Sequence, residues 1–390
     1  MSDHPPVRWE LPLPDANAPH RGYQPVEGVE HTEIYHATPE NGVYSHHAQL
    51  HATHDALLAM WSCHADGEDG PGQHVLWSVS GDGETWSPPG QLFSSLGPTR
   101  DATMWGRVLT ANGWVTLDGV THAVAEVHDM PGWHDRSCTY TSRVRTDRCP
   151  ARIRIGHGRV ARSVSATGEV GPIFWLVEDP PDPPGGFPRH PDAGSEGFAE
   201  PAARMNEALS HPLNQPAWEF RHWTTRPQAS DGEFLCEPTT FQRPDGSLVR
   251  LARHLGRSHR LYAATSDDNG ETWSPFVGTA IPDSPSKSVA GTLPDGRIYL
   301  IGNQVQCVER DPLTISLSDD GIVFDRAFAI RSGAPRIRFP GLHKSVGFQY
   351  PSAALRHDEL WVLYSVGKED VEVSRVPLDA LSQEGDPASP

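Results

Sequence analysis

The sequence predicts an all-β propeller of six or seven blades, seven slightly favoured, carrying one long Pro-rich insertion with a short helix. Three observations predict it. The chain is rich in turn-formers, with 36 Gly and 37 Pro in 390 residues, which rules out a long helical protein. Its 12 Trp and its many short apolar runs rule out a disordered one. An acidic turn motif recurs behind apolar strands, and repetition of a small sheet unit at fixed spacing marks a radial architecture.

The recurring turn is Ser80-Gly81-Asp82-Gly83-Glu84-Thr85-Trp86-Ser87, behind Val75-Leu76-Trp77. It returns as Ser266-Asp267-Asp268-Asn269-Gly270-Glu271-Thr272-Trp273-Ser274, and in degenerate form as Ser318-Asp319-Asp320-Gly321-Ile322-Val323-Phe324. Ser and Asp side chains bond turn backbone, Gly takes positive φ, and the aromatic opens the next strand. Strand–turn–strand units accompany these turns. Clear copies surround Pro244-Asp245-Gly246, Pro294-Asp295-Gly296 and His357-Asp358-Glu359. Weaker ones lie at 49–61, 106–124 and 152–176. A spacing of roughly 50 to 60 residues fits four-stranded blades.

Residues 1–30 read as an N-terminal extension of a single domain covering 1–390. The stretch 179–218 interrupts the blade pattern. It begins Asp179-Pro180-Pro181-Asp182-Pro183-Pro184-Gly185-Gly186, and Glu200–Leu209 reads as its short helix. A packed functional loop suits it better than a domain boundary.

With 32 basic and 50 acidic residues the formal net charge is −18. So acidic a surface repels nucleic acid and anionic lipid, and neither is expected as a partner. No apolar run approaches the roughly 18 residues of a membrane helix. Met1-Ser2-Asp3-His4-Pro5-Pro6 shows no secretory signal, so the expectation is a cytoplasmic protein, or a secreted one if the sequence is a processed form. The five Cys are scattered without a CxxC pair. They read as buried free thiols, with a Cys138–Cys149 bridge inside one loop as the alternative. No nucleotide-binding or Gly-x-Ser-x-Gly signature occurs, and no cofactor is expected. A structural cation is compatible with the composition, but no ligand spacing locates one, and a metal site stays unknown.

The Ser-x-Asp-x-Gly-x-Thr-Trp boxes resemble those of the sialidase superfamily, called BNR repeats or Asp-boxes. The resemblance covers most of the chain from about residue 40. It implies the propeller fold and an outer-turn, structural role for the boxes. Sialidases of this family also carry an early Phe/Tyr-Arg-Ile-Pro motif whose Arg begins a three-Arg clamp on the sialate carboxylate. No such motif stands near this N-terminus, and Ala334-Pro335-Arg336-Ile337-Arg338 is late and differently ordered.

Other segments resemble propellers that cleave uronate glycans, the ulvan lyases and the enzymes releasing rhamnose from rhamnose–glucuronate caps. These are Ser45-His46-His47-Ala48-Gln49-Leu50 with Trp61-Ser62-Cys63-His64, Val160-Ala161-Arg162 with Gly171-Pro172-Ile173-Phe174-Trp175, Gly291-Thr292-Leu293 leading to Gly302-Asn303, and Gln349-Tyr350-Pro351-Ser352. The lyase site combines paired His, a Tyr and an Arg. Carried over, it implies His47 and His64, with His122 in the place of the Tyr, and Arg162.

β-Elimination beside a uronate needs a cation on the carboxylate, a base for the C5 proton and an acid for the leaving oxygen. His, Tyr and Arg suit these tasks. Hydrolysis needs two carboxylates, or a Tyr nucleophile with a carboxylate partner. Strand alternation puts His47, Gln49 and His51 on one face and His46 and Leu50 on the other. His64 ends the next strand in a Gly-rich loop, where Glu68 and Asp69 read as loop-holding or cation-holding. Arg250, Arg253, Arg257 and Arg260 make a basic patch in an acidic chain. Lys287, Asn303, Arg310 and Tyr350 fall near inner-strand positions.

The expected catalytic residues are therefore His47, His64, His122 and Arg162, with Arg253, Lys287, Asn303, Arg310 and Tyr350 binding substrate. Each also has a plainer reading, as a solvated or core-satisfied side chain or a surface ion pair. The expected activity is cleavage of an anionic oligosaccharide or glycan, by elimination at a rhamnose–glucuronate or similar uronate linkage. A sialidase-like or rhamnosidase-type hydrolase and a non-catalytic carbohydrate-binding propeller are the alternatives. Oligomeric state is not legible in the sequence.

Overall fold

The computed structural model describes residues 6–70, 72–95, 105–131, 155–177, 199–214, 227–341 and 343–382. Among the described residues the chain forms five blade sheets of antiparallel strands, each with at least four strands, and one small two-stranded parallel sheet. Blade I comprises Tyr44–Ala52, Leu57–His64, His74–Ser80 and Gly90–Phe93. Blade II comprises Trp105–Leu117, Val120–Pro131, Ile155–Ser163 and Phe174–Trp175. Blade III comprises Leu235–Gln242, Leu248–His254, Arg260–Ser266 and Val277–Pro282. Blade IV comprises Val289–Thr292, Ile298–Gly302, Leu313–Ser318 and Arg326–Arg331. Blade V comprises Phe348–Arg356, Glu359–Val366 and Asp370–Pro377, and its outer strand is Glu30–Tyr35 from the other end of the chain. That pairing completes blade V non-locally. First strands of successive blades touch from II through I, V and IV to III, and so line a central channel.

The blade count is five among the described residues, which corrects the expected six or seven. The units at 106–124 and 152–176 were counted separately but are the two halves of blade II. Val160 pairs with Ala125, and Ala125 in turn with Ala111. A long connection splits the blade in sequence, while the ladder hydrogen bonds reunite it.

The three acidic turns form alike, each between the third and fourth strands of its blade. Ser80 Oγ donates to Asp82 at 3.0 Å and accepts from Gly83 N at 2.7 Å, while Asp82 caps the N–H groups of Glu84 and Thr85. Ser266 and Asp268 repeat this, and so do Ser318 and Asp320 in the degenerate copy. Gly83 has φ +82, and a Cβ there would meet Trp361 of blade V at 2.0 Å. The turn's glycine thus permits both the backbone twist and the approach of the neighbouring blade.

Apolar side chains fill the wedges between blades. Leu58, Met60, Trp77, Leu109, Ala125 and Trp175 pack between blades I and II. Trp61, Trp361 and Leu363 pack between I and V. Residues 6–30 are not a loose extension. Arg8–Trp9 pair with Val323–Phe324, Gln24–Pro25 pair with Phe328–Ala329, and Val7 and Trp9 enter the core between III and IV. The predicted helix exists as α1, Ala199–Ser210, and packs Met205 and Leu209 against blade II. The rest of the predicted insertion lies outside the described residues, apart from 211–214. Cys138 and Cys149 lie outside them too. Cys63, Cys236 and Cys307 are free thiols, the first two buried. No described helix is long and apolar enough to cross a membrane.

Candidate functional site

Three first strands carry the same irregularity. In blade I, His47 and Ala48 stand opposite Trp61 alone. In blade III, Glu237 and Pro238 stand opposite Ala252. In blade V, Tyr350 and Pro351 stand opposite Tyr364. Each is a β-bulge whose leading residue takes a left-handed backbone, with φ 55 at His47, 52 at Glu237 and 54 at Tyr350. Such a φ costs about 1–2 kcal/mol per residue outside glycine. It persists where surrounding structure over-determines it, and functional sites are where that strain collects. The two prolines fit because a bulge leaves a residue out of the ladder, so no N–H is needed.

The bulges bring their side chains together. The Tyr350 hydroxyl donates to Glu237 Oε1. Arg253 Nη1 reaches both Glu237 oxygens at 2.9 and 2.8 Å and the Tyr350 hydroxyl at 3.3 Å. The Arg310 guanidinium lies 5.5 Å from the centre of the Tyr350 ring, donating to Gln349 Oε1 and to Pro285 O at 2.8 Å. Lys368 Nζ is 5.7 Å from the same ring and donates to Glu68 Oε2 at 2.8 Å. Lys287 Nζ donates to Pro351 O at 2.7 Å and so holds the bulge that aims Tyr350.

Electrostatics divides the acidic from the basic partner. Burial pushes the Tyr350 hydroxyl well above its usual range, and the Glu237 charge adds to that, so the phenol keeps its proton. Burial also opposes ionisation of Glu237, but Arg253, the Tyr350 hydroxyl and Arg310 outweigh it and hold the carboxyl below its usual value. A neutral phenol thus donates its hydrogen bond to an ionised carboxylate. Burial lowers Lys287 to about 7. Asp283, nearly inaccessible, is pushed well above the usual carboxylate range by burial.

The sequence-derived candidates sort by position. His47, Arg253, Lys287, Arg310 and Tyr350 converge on the channel. His64 lies beneath it, its Nδ1 accepting from Asp66 N at 3.2 Å and Gly67 N at 3.3 Å, so it shapes the loop that carries Glu68 and Asp69. Asn303 is buried, and its Nδ2 donates to the carbonyls of Arg310, Pro312 and Phe348, each at 3.0 Å. It braces the segment bearing Arg310.

His122 and Arg162 are not brought to the cluster. They lie in blade II beside the Asp118–Gly119 hairpin turn, whereas the bulges of blades I, III and V sit at the opposite end of their strands. His122 meets Phe174 edge-on at 6.2 Å. Arg162 donates to Gly171 O at 2.8 and 2.6 Å and to Leu92 O at 2.7 Å, which ties blade II to blade I. The structure therefore brings neither into the Tyr350–Glu237 cluster. The basic patch also divides, since Arg250 stacks on Trp273 at 4.0 Å while Arg253 points to the channel.

Glu237 was missed. Its signal was a Glu-Pro pair in the opening strand of a blade, matching Tyr350-Pro351 in another. Strict alternation was the wrong rule for His46 as well. The bulge brings both imidazoles together, with ring centres 4.7 Å apart, and His46 packs against Tyr350 with ring centres 4.0 Å apart. His51 instead stacks on Trp114.

Fold and boxes together make this chain a β-propeller whose fold is that of solved sialidase structures. The BNR repeat-like domain family matches residues 206–362. A solved structure described as a sialidase is similar at 20% identity and TM-score 0.71, over 95% of this chain and 35% of that one, so this chain spans about a third of its length. The K499G mutant of the NanB sialidase from Streptococcus pneumoniae is similar at 12% identity and TM-score 0.54, over 90% and 71%. The leech intramolecular trans-sialidase in complex with 2,7-anhydro-Neu5Ac is similar at 13% and 0.55, over 90% and 71%. No curated protein sequence matches this chain.

Proposed function

We propose that this chain is a glycoside hydrolase that cleaves an anionic, sialic-acid-type glycan through Tyr350. The carrying observation is the Tyr350–Glu237–Arg253 array. In this reading the Tyr350 oxygen attacks the anomeric carbon and passes its proton to Glu237 as the glycosidic bond breaks. Water then cleaves the tyrosyl glycoside, losing a proton to the group that protonated the leaving oxygen, while Glu237 returns its proton to Tyr350. A tyrosine paired with a carboxylate is one of the known alternatives to the two-carboxylate arrangement. A neutral phenol suits an anomeric centre beside a carboxylate, because a carboxylate nucleophile would be repelled there. Arg253, Arg310 and Lys368 supply cations for that substrate carboxylate. Asp69, 24% exposed and 3.6 Å from His128, is the acid this reading assigns to the leaving oxygen.

Elimination at a rhamnose–glucuronate linkage, the expectation from sequence, has less support, because two of its assigned groups, His122 and Arg162, lie away from the channel. One set of incubations separates the readings. Sialic acid released from sialyllactose supports hydrolysis through Tyr350. Free rhamnose from rhamnose-capped arabinogalactan without ultraviolet absorbance points to a rhamnosidase, and with the absorbance of an unsaturated uronate to a lyase. Binding without any product would leave a lectin.

A further inference from the structure

We propose that His46, His47 and Glu68 form a site for a zinc-class divalent ion on the blade I side of the channel. One ligand atom from each lies within 4.8 Å of the others. His47 Nε2 and Glu68 Oε1 are 3.5 Å apart. Two ligands at zinc bond lengths of about 2.0–2.2 Å in a tetrahedron stand about that far from each other.

The second observation is independent of the cluster's proximity. His46 is fully buried, and its Nε2 has no hydrogen-bond partner. Leaving a buried imidazole nitrogen unmet costs about 1–3 kcal/mol. Ser365 Oγ lies 2.9 Å from His46 Nδ1 and 3.4 Å from Gln349 O, so it can accept from Nδ1 while donating to the carbonyl, the tautomer that leaves the Nε2 lone pair for a metal. Ser62 Oγ lies 3.2 Å from His47 Nδ1 and can accept its proton, turning Nε2 to Glu68. Holding the outer ring nitrogen with an oxygen acceptor is how proteins orient metal-binding histidines.

Two imidazoles and one carboxylate suit zinc. Calcium and magnesium prefer more numerous, all-oxygen ligands. Three protein ligands leave the fourth position open toward the channel, where Tyr350 packs on His46. Lys368 opposes the dication, but its ammonium occupies Oε2 and leaves Oε1 to the site. Arg310 and Lys287 also raise the local potential around His46. They select for a metal that binds imidazole strongly over one held by charge alone. This site does not depend on the hydrolase reading.

Metal-free full-length protein is titrated with zinc sulfate by calorimetry, and with Co2+ as a spectroscopic probe. The expected result is stoichiometric zinc binding, with visible d–d bands of a low-coordinate Co2+ complex. His46→Gln and Glu68→Gln should each weaken binding about 100-fold or more, and His47→Gln serves if either fails a circular-dichroism check of folding. His54→Gln, an exposed histidine on the blade I turn, should leave it unchanged. No zinc binding, or binding that survives these cluster substitutions in folded protein, would overturn the proposal.

Discussion

The Tyr350 hydroxyl donates to Glu237 although the two residues are 113 positions apart and belong to non-adjacent blades. The same backbone device, a left-handed residue opening a two-residue bulge, presents both. If this pair is the reacting one, Tyr350→Phe should lower kcat by about 1000-fold or more, and Glu237→Gln by about 100- to 10,000-fold. The phenylalanine variant keeps the ring packing and should lose only about 1–3 kcal/mol of stability in urea unfolding. Full activity in folded Tyr350→Phe would remove the phenol from the chemistry.

Asp69 offers a sharper test of the proton budget. As acid it matters only when the leaving oxygen is basic. Asp69→Asn should lose about 100-fold or more on a natural sialoside, while an aryl sialoside with an acidic phenol should be nearly spared. Equal loss on both substrates would assign Asp69 to binding.

Lys287 makes stability depend on pH. Its native value of about 7 lies below the ordinary 10.5. Between those values the unfolded chain holds a proton that the folded chain has shed. Stability contributed by this group therefore rises as pH climbs from about 7 toward 10.5, by at most about 1.4 kcal/mol per pH unit. Chemical denaturation at several pH values should show the slope in the wild type, and Lys287→Met should flatten it.

Arg162 should matter for folding and not for turnover. Removing its bonds to Gly171 O and Leu92 O in Arg162→Met should cost about 2 kcal/mol. The kcat of the folded protein, if the proposed hydrolysis holds, should stay within a factor of two or so, which steady-state assays below the melting transition would check.

Much of the fold was legible because its signals are local. A Ser, an Asp and a Gly within four or five residues form their turn with one another, and so even the degenerate copy at Ser318–Gly321 folds like the others. Helix α1 was readable for the same reason. The site was only half legible. Arg253, Arg310, Lys287 and Tyr350 stood out as cations or as a Tyr opening a strand. Glu237 did not, because nothing near it in sequence shows that Arg253 and Tyr350 converge on it. His46 was sent to the wrong face because alternation holds only while the ladder is regular, and the bulge at His47 breaks it.

The sequence alone determined that this chain builds wedge-shaped sheets with acidic outer turns, since turn chemistry and apolar periodicity act over a few residues. Tertiary structure alone decided that the sheets number five among the described residues, with segments of blade II and the N-terminal strand joined across long stretches of chain. It also decided which charges meet. A pairing such as Tyr350 with Glu237 depends on ring closure and on where each bulge points, and both are set by packing between blades.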